Sequence, residues 1–315
     1  MQSLVRRLVQ TVVVVLIVSL LTVSMIRFMD QEPAYAILGE HATPDQVARF
    51  NAEAGLDRPL LVQWGTWLQG WLQGDLGQSL RTREPVSSIL MERLPITLEL
   101  AVLALLVGLL FAIPLGIYSA YNAGGRLDRI VNGASSIAVA VPGFVLALVL
   151  VYFISYQADL LPVSGWVSFN DDPVGHVKSL VLPVITLGAI EGAVATRVLR
   201  SDMYATLRED YILAAKAQGI PIHTILWRHA LRPSSLSLLT ISGVSLGRLI
   251  GGTVIVETIF SLPGLGQALV QGVYASDIVV VQGLTLFMVL CVVLINFAVD
   301  ALYPVVDPRV SVKSH

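Results

Sequence analysis

The sequence predicts an all-α, polytopic membrane protein with six transmembrane helices, cytoplasmic N- and C-termini and a helical extracytoplasmic loop after the first span. Three observations predict it. Of the 315 residues, 55% are hydrophobic and 13% charged, whereas about a quarter are charged in an ordinary soluble domain. The apolar residues gather in six runs, each long enough for the roughly 20 helical residues that cross a bilayer. The runs lack the apolar–polar alternation of a membrane barrel, so helices, which satisfy their own backbone groups, must make the crossings.

The first run, residues 8–28, follows Arg6 and Arg7, and Ala34-Tyr35-Ala36 resembles a leader cleavage site. Its apolar core exceeds the about 7–15 residues of a signal peptide, and Asp30 and Glu32 separate it from that site. Residues 1–28 therefore read as the first transmembrane helix. Residues 29–95 form the long loop. Within it Thr43 is an N-cap with Pro44 at the first helical position, and that helix ends near Gly55. Trp64, Trp67 and Trp71 then share one helical face, suited to the outer membrane–water interface. "EPVSSILMERLP" is expected to add a short surface helix before the second span.

Residues 96–303 hold the other five spans, at 96–118, 130–156, 180–199, 236–260 and 279–303, and 304–315 are a tail. Pro142-Gly143 is expected to kink the third span. Gly243, Gly247 and Gly251, like Gly188, Gly192 and Thr196, offer small-residue faces for close helix contact, either within the chain or with a partner. The one cysteine, Cys291, lies in an apolar run, so neither a disulfide framework nor a cysteine metal site is available. The formal net charge is −2, and nucleic acid is not among the expected partners.

Basic residues in short loops set the orientation. Arg6, Arg7, Arg126, Arg129, then Arg197, Arg200, Arg208, Lys216, Arg228 and Arg232, and finally Arg309 and Lys313 fall on one side, which is cytoplasmic. The arginines of 29–95 are spread along a loop too long to count. Residues 200–235 thus form a cytoplasmic loop, and 304–315 a cytoplasmic tail.

That loop contains "DYILAAKAQGIPIHTILWRHALRP". Its first half is helix-forming, with Tyr211, Ala214 and Ala215 able to share a face. Gly219 fits the helix C-terminus, and Pro221 stops continuation. "HTILWRHAL" reads as a second short helix leading through Pro233 into the fifth span. Small side chains at Ala214, Ala215 and Ala217 let the backbone approach a partner's groove. His223 and His229 have no metal-site spacing.

This stretch resembles the "EAA" loop of ABC importer permeases. Ala214, Ala215, Gly219 and Leu231 hold the pattern, while Leu213, His229, Arg232 and Pro233 depart from it. "AGLDRPL", "GDLGQSLRTREPV", "ERLPITLELA", "VETIFSLPGLG" and "LYPVVDPRV" resemble, in order, segments of the dipeptide/oligopeptide/nickel branch of that family. The resemblance implies a permease that forms half of a translocation path with a second homologous permease. It implies two cytoplasmic ATPases that carry ATP and Mg, and an extracytoplasmic substrate-binding protein. It also implies that Leu213, Ala214, Ala215, Lys216, Ala217 and Gly219 form the ATPase-coupling helix, and that Glu257, Pro263 and Gly264 belong to a re-entrant outer gate. No catalytic, cofactor or metal residue is expected in this chain, which has no GxxxxGK[S/T] phosphate loop. The cargo implied is a dipeptide or oligopeptide, with glutathione or chelated nickel as alternatives, and the location is the plasma (inner) membrane.

Glu191 and Arg248 lie midway along their apolar runs. A charge there costs at least about 2.5–3.5 kcal/mol and so faces protein or water. They either line the path and contact a zwitterionic peptide, or pair structurally with each other or with the second permease. Asp300 reads as a helix-end hydrogen-bonding residue. An ion-coupled secondary transporter would show inverted repeats and broken midplane helices, and no repeat relates the two halves. A membrane-embedded hydrolase is disfavoured, since no span carries a HExxH pair, a GxSxG turn or a paired-aspartate motif.

Overall fold

The computed structural model describes residues 2–24, 33–39 and 41–306, and among these most residues are helical and none is in a strand. The chain divides into two compact units, residues 1–97 with 263–293 and residues 98–262 with 294–315.

The first unit contains α1 (Gln2–Ser24), α2 (Pro33–Leu38), α3 (Pro44–Glu53) and α4 (Leu60–Leu72). Thr43 caps α3 as its sequence predicts: Oγ1 accepts from Gln46 N at 3.4 Å, and Gln46 Oε1 accepts from Thr43 N at 2.8 Å, a reciprocal capping box. Val47 and Phe50 on α3 bury against Ala34, Ile37 and Leu80. The α4 tryptophans do share a face. Trp64 Nε1 donates to Ser19 Oγ of α1 at 2.9 Å, and the Trp67 and Trp71 rings lie 5.7 Å apart.

This unit also holds the start of α5 (Val86–Tyr121), α12 (Leu265–Tyr274) and the first part of α13 (Ile278–Val306). The expected separate helix before the second span does not exist. From Val86 the chain runs unbroken through Pro95 into α5, because one missing N–H inside a long, well-packed helix does not suffice to end it.

The second unit holds the rest of α5, α6 (Arg126–Ala140), α7 (Gly143–Leu150) with a π-helical continuation Val151–Gln157, α8 (Pro173–Thr206) and α9 (Asp210–Ala217). After α9, a single turn α10 (Ile222–Thr224) and a π-helical segment Ile225–Ala230 lead into α11 (Leu231–Phe260). The predicted kink at Pro142 is a full break. Val141 (φ −79°, ψ 124°) and Pro142 (φ −58°, ψ 137°) are extended, and the helices on either side diverge by 104°. "HTILWRHAL" is not an independent helix either: residues 222–260 form one continuous helical stretch.

Small residues bring α5 and α8 into backbone contact. A Cβ on Gly108 would lie 2.9 Å from Gly188 O and 3.1 Å from Gly192 N, so this glycine face is an intrachain seam. In a bilayer, where lipid is as apolar as leucine, such close packing is what holds helices together. Two apolar clusters flank the seam, one around Leu100, Ala104, Leu182 and Phe260, the other around Ile117, Leu199, Met203 and Ile212.

Four described helices are long and apolar enough to span, at Val86–Tyr121, Pro173–Thr206, Ile222–Phe260 and Ile278–Val299; the bent α6–α7 pair makes five. In α1 the apolar stretch Val9–Ser24 is shorter than a full span. Residues 25–28 of the predicted first span and 307–315 of the tail, with Arg309 and Lys313, lie outside the described residues, as does the side chain of Asp300.

Candidate functional site

At one end of the second unit α8 gives way to α9. A buried carboxylate fixes this end. Asp128, at the start of α6, accepts from Arg200 Nε at 2.5 Å and Arg200 Nη2 at 2.7 Å, from Ser119 Oγ at 2.6 Å and from Gly124 N at 2.8 Å. The side-on fork fixes orientation as well as distance. Arg208 stacks over Tyr204 at 4.2 Å, and Thr206 Oγ1 meets Ser234 Oγ at 3.1 Å. The last turns of α8 are thereby tied to α5, α6 and α11.

Helix α9 follows, with Asp210 in its first turn and Lys216 in its last, both favourable to the helix dipole. Gly219 ends it at φ +75°, a conformation that a side chain disfavours. Ile212 and Ala215, three residues apart, bury against the cluster around Leu199 and Met203, whereas Tyr211 and Ala214 at the edges of that arc stay exposed. Tyr211, Leu213, Ala214, Lys216, Ala217 and Gly219 are exposed. Leu213 is 53% and Tyr211 48% accessible, and Ile222 and Trp227 are exposed beyond them. Tyr211 OH donates to His229 O at 3.4 Å. Partial burial and then the charge of Glu209 push its pKa up, so the phenol stays neutral. The arrangement is an anchored short helix with an apolar and small-residue outer surface.

Deeper in the unit, Arg248 Nε donates to Glu191 Oε1 at 3.2 Å, and Nη2 donates to Glu191 Oε2 at 2.6 Å and to Ser245 Oγ at 3.2 Å. Glu191 is buried, while the Arg248 side chain is 52% exposed. Both oxygens of Glu191 are therefore engaged by Arg248. Residues 243–247, Gly-Val-Ser-Leu-Gly, spell the G-x-S-x-G letters of a hydrolase elbow. They lie in uninterrupted helix and not in a strand–turn–helix, and Ser245 is buried against Arg248, so the nucleophile geometry is missing.

Glu257 is buried in the last turn of α11, where Leu262 N donates to its carbonyl at 2.9 Å and Ser261 takes a left-handed φ of 53°. In the first unit, Gly264 is the N-cap of α12, and Thr97 Oγ1 accepts from Leu265 N at 2.8 Å.

Three polar clusters have no motif that would have announced them. The Asp128–Arg200 clamp is one. His176 is another: Nδ1 meets the Val167 carbonyl at 2.9 Å and Nε2 the Glu99 carboxyl at 2.9 Å. The carbonyl can only accept, so Nδ1 donates and a proton is held between Nε2 and Glu99. Asp277 is the third. Its Oδ2 accepts from Ser79 Oγ at 2.5 Å and its Oδ1 from Leu80 N at 3.2 Å and Val280 N at 3.4 Å. It clasps the "GDLGQSLRTREPV" loop to the start of α13.

Comparison with known proteins places these features in a family. Residues 112–312 match the model described as binding-protein-dependent transport system inner membrane component, and residues 1–101 match that of its N-terminal region. A Brucella abortus chain that carries the name of a peptide transport system permease protein is 40% identical over 305 residues, 97% of each chain. The dipeptide transport system permease protein DppB of Escherichia coli K12 is 34% identical over 337 aligned residues, 99% of each chain. An inward-facing structure of the MetNI methionine ABC transporter superposes with a TM-score of 0.58 at 19% identity. It covers 69% of this chain and 96% of its own, a likeness of fold.

Proposed function

This chain belongs to the family of binding-protein-dependent transport system inner membrane components, and from that premise we propose how it works and what it carries. It is a multi-pass inner-membrane permease subunit of a peptide-type ABC importer. Beyond that, its path is completed by a second homologous permease, two cytoplasmic ATPases drive it, and an extracytoplasmic binding protein delivers cargo. ATP and Mg sit on the ATPases, and this chain performs no hydrolysis.

The observation that carries the coupling assignment is α9. A soluble-side helix buries Ile212 and Ala215 beneath it and turns Leu213, Ala214 and Ala217 outwards, an apolar surface in a polar segment that calls for a protein partner. Leu213, Ala214, Ala215, Lys216, Ala217 and Gly219 then form the element seated in one ATPase. Closure of the ATPases moves α9 and with it α8 and α11, joined to each other through Thr206 and Ser234, and the clamp at Asp128 carries the movement on to α6, as a rigid-body tilt. The six-span topology has 1–28 as the first span, 29–95 outside, 96–303 as the core and both termini cytoplasmic. Glu257, Pro263 and Gly264 serve the outer gate, and of the mid-membrane pair Arg248, held by the buried Glu191, faces the path.

The cargo is a dipeptide or oligopeptide, supported by the names of the relatives; glutathione and chelated nickel are the alternatives. Purifying the chain with its partners tests the reading. ATP-hydrolysing subunits copurify in stoichiometric amounts, and vesicles take up a dipeptide only with ATP and binding protein. Uptake driven by an ion gradient, without ATP, contradicts it.

A further inference from the structure

We infer that Arg248 alone of the mid-membrane pair touches cargo, as a donor to the carboxylate of a passing peptide, and that Glu191 is its positioning residue. The inference rests on the permease reading above and assigns the two charges different roles within it.

The asymmetry of the pair carries it. Glu191 is buried, with a side chain 7% exposed, and spends both oxygens on Arg248. It has no oxygen turned outwards for a peptide ammonium. Arg248 pairs through Nε and Nη2, and in a planar guanidinium that side-on grip leaves Nη1 on the far edge with two further N–H donors. That edge belongs to a side chain 52% exposed, on a helix that spans the membrane. An ionised guanidinium with uncovered donors is not stable against hydrocarbon, so this face meets water or an acceptor.

The ground beside it is open. Val244, Arg248, Gly251, Gly252, Ile255 and Thr258 make up the exposed side of this stretch of α11, at helical spacing. At Gly251 and Gly252, one turn from Arg248, the place of a Cβ has no atom within 4 Å apart from the adjoining residues and the helix's own backbone. No side chain of α11 therefore roofs the guanidinium from that side. Ser245 and Glu191 hold it from behind. Because Glu191 neutralises most of the charge, the station binds an oxygen acceptor weakly. Transport needs that, since cargo must leave as readily as it enters.

The test uses the complete transporter in vesicles with cargo-loaded binding protein, and reads assembly, ATPase stimulation and peptide uptake separately. The Glu191→Gln/Arg248→Gln double variant removes both charges together and leaves no lone buried ion. It is expected to assemble and keep its ATPase stimulation but to lose uptake by about tenfold or more, the scale of one charge-assisted hydrogen bond. Arg248→Lys keeps the charge without the fork and falls between the double variant and wild type. Glu191→Asp retains more uptake than Glu191→Gln, because only the former still orients Arg248. Wild-type uptake in the double variant or in Arg248→Lys overturns the inference. So does failure of the double variant to assemble, or parallel loss of ATPase stimulation and uptake, since those mark a structural ion pair. If the wild-type complex itself shows no ATP-dependent uptake, the permease reading falls, independently of Arg248.

Discussion

Arg200 grips Asp128 through a side-on fork, Nε 2.5 Å from Oδ1 and Nη2 2.7 Å from Oδ2, and so binds the end of α8 to the start of α6. Asp128 is buried and also receives Ser119 and Gly124. Removing one member leaves the other's charge uncompensated, which costs about 3 kcal/mol or more. Asp128→Ala is therefore expected to lower the thermal stability of the detergent-solubilised complex clearly. Charge reversal of the exposed Arg129 next to it shifts stability by about 0.5 kcal/mol or less. Melting curves on the two variants check the contrast.

The two sides of α9 respond differently to substitution. Ala215 is buried, so Ala215→Leu overpacks the cluster around Leu199 and Met203 and costs about 1–3 kcal/mol. Leu213 is exposed, so Leu213→Arg leaves the melting temperature nearly unchanged and abolishes ATPase copurification. Affinity purification followed by a melting curve separates the outcomes. Retention of the ATPases by Leu213→Arg speaks against the coupling assignment.

Where α5 and α8 touch, there is no room for a side chain. A Cβ on Gly192 would stand 2.9 Å from Gly108 O. Gly192→Ala forces the backbones apart and is expected to destabilise by about 1–3 kcal/mol. The same change at Gly251, which meets open space, is expected to be neutral or slightly stabilising through its better helix propensity. Paired melting curves of the two variants decide it.

Asp277 holds the 79–82 loop through side-chain and backbone donors. Asp277→Ala frees that loop. Amide hydrogen exchange at Leu80 and Arg81 should speed up by about tenfold or more, the scale of losing one hydrogen bond to a charged group. Unchanged protection at Leu80 would show that Asp277 is incidental to the loop.

What the sequence makes legible follows the reach of each signal. The Thr43 cap, the tryptophan face of α4 and the stop at Gly219 are local, and each depends on residues within a turn or two. The apolar runs locate α5, α8 and α13 for the same reason. Pro142-Gly143 marks a disruption, but its 104° size comes from what α6 and α7 pack against. Pro95 and Pro233 mark disruptions that packing overrides. In α9, eight residues are too few for periodicity to say which alanine faces inward. The partners of Asp128, His176 and Asp277 stand 72, 77 and 198 residues away, and no local pattern encodes pairs at such separations. Glu191 and Arg248 stand out in the sequence because charge is rare in a span. Their division into a buried anchor and an exposed donor became visible only from geometry.

The most direct test of the account is a cross-link from α9. With Cys291→Ser as background and Leu213→Cys as the single thiol, a short thiol-reactive cross-linker is applied to the assembled transporter in membranes. The account predicts that position 213 joins to an ATP-hydrolysing subunit, with a yield that changes between nucleotide-free and ATP-bound states. A thiol that stays fully open to water-soluble maleimide in both states, with no cross-linked neighbour, would contradict it.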